Sequence, residues 1–191
     1  MIFVFNRRES AVRKIKEEVL CEGRWLIFLR SYFLNAKGEE VYWESVMRRT
    51  RGASVVVIAR LVPSGRYILI KQFRQSLNGF VIGFPAGITY TDAGHGLREL
   101  KEETGFTGRL TGTSPVLKTT IGITDEDCRV ITVDVDENDL RNQNPLQELD
   151  PSEEIEVLLI PRDDIKAFLL REQENGTHIA AGVWYVFCLG A

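Results

Sequence analysis

Apolar positions along this chain recur mostly at the two-residue spacing of strands, interrupted by polar clusters; few stretches carry the wider spacing of a helix. Residues 24–33, RWLIFLRSYF, are rich in aromatic and branched side chains and predict a strand. Asn35, Ala36, Lys37 and Gly38 read as a turn, after which residues 40–48 pair back as a hairpin. Residues 53–61 and 67–74 follow as two strands joined through Pro63, Ser64 and Gly65. Their runs VVVIARL and YILIKQF predict central strands buried on both faces. Residues 80–84 predict another strand. Residues 116–120 and the alternating CRVITVDV at 128–135 predict two more, with a loop at 122–126 between them. Residues 155–161 form the last predicted strand, and residues 162–171 and 179–189 read as amphipathic helices. Residues 8–18, RRESAVRKIKE, read as a short charged helix or an extension. Residues 137–154 are polar and carry two prolines, which predicts a long exposed loop; loops of that length are usually functional or disordered.

Strand pairs with helical segments on both sides predict an α/β/α layering, a mixed sheet between helices. A length of 191 residues suits one domain with a small appendage, here a β-subdomain at residues 1–50 ahead of a main domain at 51–191. Apolar residues make up 44% and the net charge is −3, an ordinary soluble composition with too little basic character for nucleic acid, the local cluster Arg48, Arg49 and Arg51 notwithstanding. The three cysteines, Cys21, Cys128 and Cys188, are odd in number and scattered, which fits a reducing cytoplasm better than a disulfide framework. The apolar start MIFVF is short and soon followed by charge, unlike a signal peptide, and no run reaches membrane-spanning length.

Candidate chemistry concentrates in GFPAGITYTDAGHGLRELKEETGF, residues 83–106. Glu99, Glu102 and Glu103 stand at i, i+3 and i+4, so a helix beginning near Leu97 and stopped by Gly105 puts three carboxylates on one face. Their mutual repulsion, a few tenths of a kcal/mol per pair, becomes attraction toward a hard divalent cation. The plainer alternative is a solvated surface neutralised by Arg98 and Lys101. These residues resemble the box of the Nudix hydrolases: a glycine, five residues, a glutamate, seven residues, then Arg-Glu-apolar-any-Glu-Glu-any-Gly-apolar. The second half matches from Arg98 to Phe106, but only ten residues separate Gly87 from Arg98 where the pattern has thirteen, and Ala93 stands at the first glutamate's place. Of the gap residues only Asp92 is acidic, and Gly94 and Gly96 are poor helix formers, so either the loop is trimmed or the helix begins a turn late.

Over roughly residues 20–190 the chain is similar to the ADP-ribose and ADP-sugar pyrophosphatase branch of that family, through Trp25, the run Trp43-Glu44-Ser45-Val46 with Arg48, Lys71-Gln72-Phe73-Arg74, and Phe84-Pro85-Ala86-Gly87. The resemblance implies a Nudix fold, a homodimer whose amino-terminal β-subdomains exchange, and hydrolysis of a nucleoside diphosphate sugar with Mg²⁺ or Mn²⁺. It places metal ligands at Glu99, Glu103 and the Ala86 carbonyl, with Glu102 supplying a further ligand or holding waters, and Arg98 orienting carboxylates. It puts a general base on the loop before the last strand, at Glu153 or Glu154. Trp25 and Trp43 would sandwich adenine, Glu44 would bond the base edge, Arg48 and Arg74 would contact the diphosphate and sugar, and Gly87 would line the loop there. Thr119, Thr120, Ile121 and Gly122 would face the terminal ribose. Physical sense supports these roles, since an indole stacks a purine for about 1–3 kcal/mol and a guanidinium fork matches a diphosphate; half-buried strand aromatics and an edge arginine are the plain readings of Trp25 and Arg48. Three functions remain open: an ADP-ribose-type pyrophosphatase, a pyrophosphatase for GDP-mannose or another nucleotide sugar, and a nucleotide-binding protein whose shortened box has cost it turnover. His95 and His178 read as surface or capping residues.

Overall fold

The computed structural model describes residues 11–50, 52–89 and 93–189; residues 8–10 of the first predicted element, Arg51 and Asp92 lie outside them. The chain divides into two units, one built from the amino-terminal segment through position 51 with Lys118–Glu126, the other from Gly52–Leu117 with the remainder.

The first unit is a three-stranded antiparallel sheet, β1 (Arg13–Glu22), β2 (Leu26–Leu34) and β3 (Glu40–Arg48), in that order. The charged segment expected as a helix or an extension is therefore the edge strand β1. Its polar side chains find cross-strand partners: Ser31 Oγ donates to Glu17 at 2.7 Å and Tyr32 Oη to Glu18 at 2.8 Å. Two register shifts, between Lys14 and Lys16 and between Val19 and Cys21, interrupt it, as is common at charged sheet edges. β2 and β3 pair without a shift from Leu26–Arg48 to Leu34–Glu40. Residues 118–126 join this sheet through the Val46 N–H to Ile123 carbonyl bond of 2.8 Å and a bridge between Val46 and Thr124.

The second unit holds a mixed nine-stranded sheet. Its strands are β4 (Ala53–Val62), β5 (Arg66–Arg74), β6 (Gly79–Gly83), β7 (Ala86–Thr89), β8 (Arg109–Thr113), β9 (Leu117–Lys118), β10 (Asp127–Asp136), β11 (Ile155–Pro161) and β12 (His178–Ile179). The main path runs β12-β6-β5-β4-β10-β8, with β11 on β5 and β7 on β4; β4 with β10 and β12 with β6 are parallel. Three helices cover it: α1 (Ala93–Thr104), α2 (Ile165–Glu174) and α3 (Ala181–Cys188). Alternation along β4 divides the core. Val55, Val57, Ala59 and Leu61 pack with Ile131, Val133, Leu100 and Phe106 on the α1 side. Val56 and Ile58 turn the other way, toward Ile165, Leu169 and Val183 of α2 and α3. The sheet thus lies between helices, the predicted α/β/α layering, and YILIKQF opens on adjacent apolar residues because Ile68 and Leu69 feed opposite cores.

Differences from the sequence reading are local. α1 begins at Ala93 rather than near Leu97, so it is the loop that is trimmed. The predicted helix at 179–189 gives its first residue to β12 and starts at Ala181, and the one at 162–171 opens with a 3₁₀ turn, Arg162–Asp164, before α2. β8, RLTGT, lacks an apolar alternation and is held by its register on β10. The polar 137–154 segment is tied down rather than loose. Asn142 is buried, its amide donating to the Thr107 and Asp136 carbonyls, both at 2.9 Å, while its oxygen accepts the Thr107 N–H at 2.8 Å.

Candidate active site

α1 sets three carboxylates at three depths. Glu103 faces inward and is 3% exposed, Glu99 is half-buried, and Glu102 lies nearer solvent. The strand beside them is β7. Val57 N–H bonds the Pro85 carbonyl at 2.8 Å, so alternation in the antiparallel ladder turns both the N–H and the carbonyl of Ala86 away from β4. The Ala86 N–H donates to Glu103 Oε2 at 3.0 Å. Next to it, Gly87 leaves room that a side chain would fill: a Cβ there would stand 2.0 Å from Glu99 Cδ. A side chain at 87 would displace the Glu99 carboxylate, which lies against the Gly87 backbone.

Burial and like charge leave these acids proton-hungry. Burial, then Glu99 and Glu153, push the Glu103 carboxyl up to about 8, against the downward pull of the Ala86 hydrogen bond and Arg74. Glu99 is also raised, first by burial and next by Glu102, with Arg98 opposing and Glu153 adding to the rise. Arg98 reaches Glu102 at 3.5 Å and Glu99 at 3.8 Å, bridging the helix face. Glu153 sits in a tight turn: its N–H donates to the Asp150 carbonyl at 2.9 Å and its Oε2 accepts the Asp150 N–H at 3.0 Å. The carbonyl of Glu154 accepts the Phe73 N–H at 3.1 Å, which anchors the entry to β11 beside the end of β5, where Arg74 follows.

The second unit thus brings together Glu99, Glu102, Glu103, Arg98, Ala86, Gly87, Arg74 and Glu153. Among the described residues no group of three or more His, Cys, Asp or Glu side chains forms a ready cation cage. Buried Glu103, raised by burial and by Glu99, and half-buried Glu99, raised by burial and by Glu102, stand with the outward-turned Ala86 carbonyl as an oxygen donor set that a hard divalent cation fits.

The other predicted residues belong to the first unit. Trp43 and Trp25 are well exposed, and the Trp43 indole N–H donates to the Gly122 carbonyl at 3.1 Å. Glu44 is taken up by Arg30 at 2.6 Å, and Arg48 by Glu126 at 2.6 Å. Trp25 does not meet Trp43. The Trp25 carbonyl accepts the N–H of Arg49, just past the end of β3, at 3.0 Å; Arg49 is six residues from Trp43, roughly 20 Å at about 3.4 Å per residue. Side chains stand nearly perpendicular to a sheet, so the two indoles do not face each other across one base within a single chain. Sequence reasoning missed Gln147, whose amide donates to the Glu103 carbonyl at 2.7 Å; a glutamine in a polar loop carries no spacing signal.

A carboxylate-bearing helix thus lies against a strand opened by glycine, under one face of a mixed sheet, and gives this α/β unit an acidic centre. The chain is 34% identical over 166 residues to putative nudix hydrolase 2 of Caenorhabditis elegans, covering 80% of this chain and 74% of that one. It is 31% identical to the ADP-sugar pyrophosphatase of Mus musculus (78% and 73% covered) and 30% identical to the ADP-ribose pyrophosphatase of Saccharomyces cerevisiae (90% and 78%). A solved structure described as an ADP compounds hydrolase superposes with a TM-score of 0.66 at 19% identity, over 90% of this chain and 98% of the other, a likeness of fold. No family model matches the chain. On the strength of these relatives, it belongs to the Nudix hydrolase family.

Proposed function

We propose that this protein hydrolyses the diphosphate bond of ADP-ribose or a related ADP sugar, giving AMP and a sugar phosphate, with Mg²⁺ or Mn²⁺ as cofactor. The observation that carries the proposal is the pairing of Glu99 and Glu103 against Ala86–Gly87, where burial and neighbouring carboxylates raise both acids and a bound cation would relieve the crowding of like charge. The pyrophosphatase relatives in mouse and yeast supply the substrate class. Glu99, Glu103 and the Ala86 carbonyl would hold the cation, with Glu102 supplying a further ligand or holding waters. When bound, it neutralises the diphosphate and makes an attacking water more acidic.

The chain's own groups do the rest. Arg98, spanning Glu99 and Glu102, keeps their carboxylates oriented. Glu153, or Glu154 next to it, takes the proton of the water as its oxygen bonds to phosphorus and the anhydride P–O bond breaks. In this structure Glu153 is turned toward Asp150, so the loop rearranges to bring it within reach of that water. Arg74 lies within electrostatic range of Glu103 and contacts the diphosphate, and Arg48 contacts the sugar side once Glu126 releases it. Trp25 and Trp43 stack the adenine and Glu44 bonds its edge.

The wide separation of the two tryptophans within one chain supports a homodimer in which each base is gripped by indoles of different copies. The subdomain at residues 1–50 carries this role, ahead of the catalytic domain at 51–191. Neither nucleic acid nor membrane enters the reading, and its setting is the cytoplasm. Among the described residues no helix is long and apolar enough to cross a membrane. The test is a substrate panel of ADP-ribose, other ADP sugars and GDP-mannose with Mg²⁺ and with Mn²⁺, resolved by product. AMP from the adenine substrates is the expected outcome. GMP from GDP-mannose alone would move the substrate class, and tight nucleotide binding without product under either ion would overturn turnover itself.

A further inference from the structure

The last carbonyls of an α-helix have no partner inside it, and those of α1 are met by a loop that reaches the reacting side of the molecule. Lys101 O accepts the Gly105 N–H at 2.7 Å and Glu102 O accepts the Glu148 N–H at 2.8 Å. Glu103 O accepts one proton of the Gln147 amide at 2.7 Å, and the other proton of that amide goes to Ile155 O at 3.1 Å. Because Phe73 N–H bonds Glu154 O, alternation turns the Ile155 carbonyl to the outer edge of β11, where Gln147 meets it. One amide therefore spans the helix that carries the acidic centre and the strand entry that follows Glu153 and Glu154. The loop backbone also passes close over Gly105, where a Cβ would stand 2.4 Å from Leu146 N, and Lys101 Nζ holds Glu148 at 2.6 Å.

We propose that Gln147 is a positioning residue for the hydrolysis, tying α1, which carries the acidic centre, to the stem of the loop whose glutamate serves as base. The proposal rests on the function assigned above. Gln147 is largely exposed, so its removal leaves the cores intact. Its two bonds hold the stem of the loop, and in the proposed reaction the tip, where Glu153 folds onto Asp150, opens from that stem. Gln147→Met keeps the length and removes both donors. Gln147→Glu keeps the shape and sets a carboxylate against two carbonyl oxygens.

Steady-state AMP release from ADP-ribose with Mg²⁺ separates the outcomes. In Gln147→Met, kcat falls about 10–100-fold while KM stays within about threefold, since geometry rather than substrate binding is lost. Gln147→Glu falls further. Hydrogen exchange of the variant is read in parallel: the Glu148 and Glu153 amides exchange faster while those of β4 and β10 keep their protection. Normal kcat in both variants, or loss of protection throughout the sheet, overturns the positioning role. A wild-type protein that yields no AMP overturns the function reading instead, and unchanged exchange at Glu148 in the variant then still rejects the clamp.

Discussion

At position 103 a carboxylate sits in the interior with the Ala86 N–H as its bonded donor, and its titration follows from that placement. An acid raised from its ordinary 4.5 to about 8 by burial binds its proton more tightly folded than unfolded. Between those values the folded state holds more protons, so the cation-free protein loses stability as pH rises, on the order of a few kcal/mol across the window. Glu103→Gln removes that dependence while its oxygen still accepts from Ala86. Metal-free Glu103→Gln should therefore melt above wild type at pH 8 and level with it near pH 4, at about 2–4 °C per kcal/mol. Mg²⁺ should raise the melting temperature of wild type alone, and turnover by the variant should fall by orders of magnitude. Gly87→Ala tests the neighbouring contact: its Cβ must displace the Glu99 carboxylate, a flexible side-chain end, so turnover should drop about 100-fold with little change in melting, read by kinetics and melting together. Glu99, Glu102 and Glu103 were legible because a helix converts their spacing into a shared face. Gln147 was not, because its role depends on two carbonyls distant in sequence.

Among the elements, α1 departs furthest from its propensity. Glycines at 94 and 96 argue for a late start, yet the helix runs through both. Gly96 is buried, and a Cβ there would lie 2.5 Å from Ile131 Cδ1 and 2.9 Å from Val55 Cγ2, so the missing side chain is what lets the helix approach the sheet. Gly96→Ala gains about 1 kcal/mol of helix propensity and meets an overpacking cost of about 1–3 kcal/mol. Net destabilisation is expected in denaturant melts, and Ile131→Val, which removes the nearest methyl, should restore part of it. The central strands were readable from their near-continuous apolar runs because cores on both sides reward apolar residues at adjacent positions. β1 and β8 were not, one because charges on an edge strand mimic a solvated helix, the other because RLTGT has a single large apolar side chain and takes its conformation from β10.

For the molecule as a whole, the layering followed from helices and strands in sequence, whereas the membership of residues 118–126 in the amino-terminal unit had no local sign in KTTIGITDE. A dimer that draws Trp25 and Trp43 of one site from different copies makes a sharp forecast. Trp25→Ala and Trp43→Ala should each lose activity alone, yet chains of the two mixed and reassembled should regain about a quarter of the wild-type rate, because half the dimers then carry one intact stacking pair. Mixtures no better than their parents would remove the shared site. The excursion at 118–126 also bears on ancestry. Since the chain enters the amino-terminal sheet, departs, and returns once more before β10, a single crossover cannot trade that module between genes; exchange by recombination needs two breakpoints, and the module should be inherited together with its host.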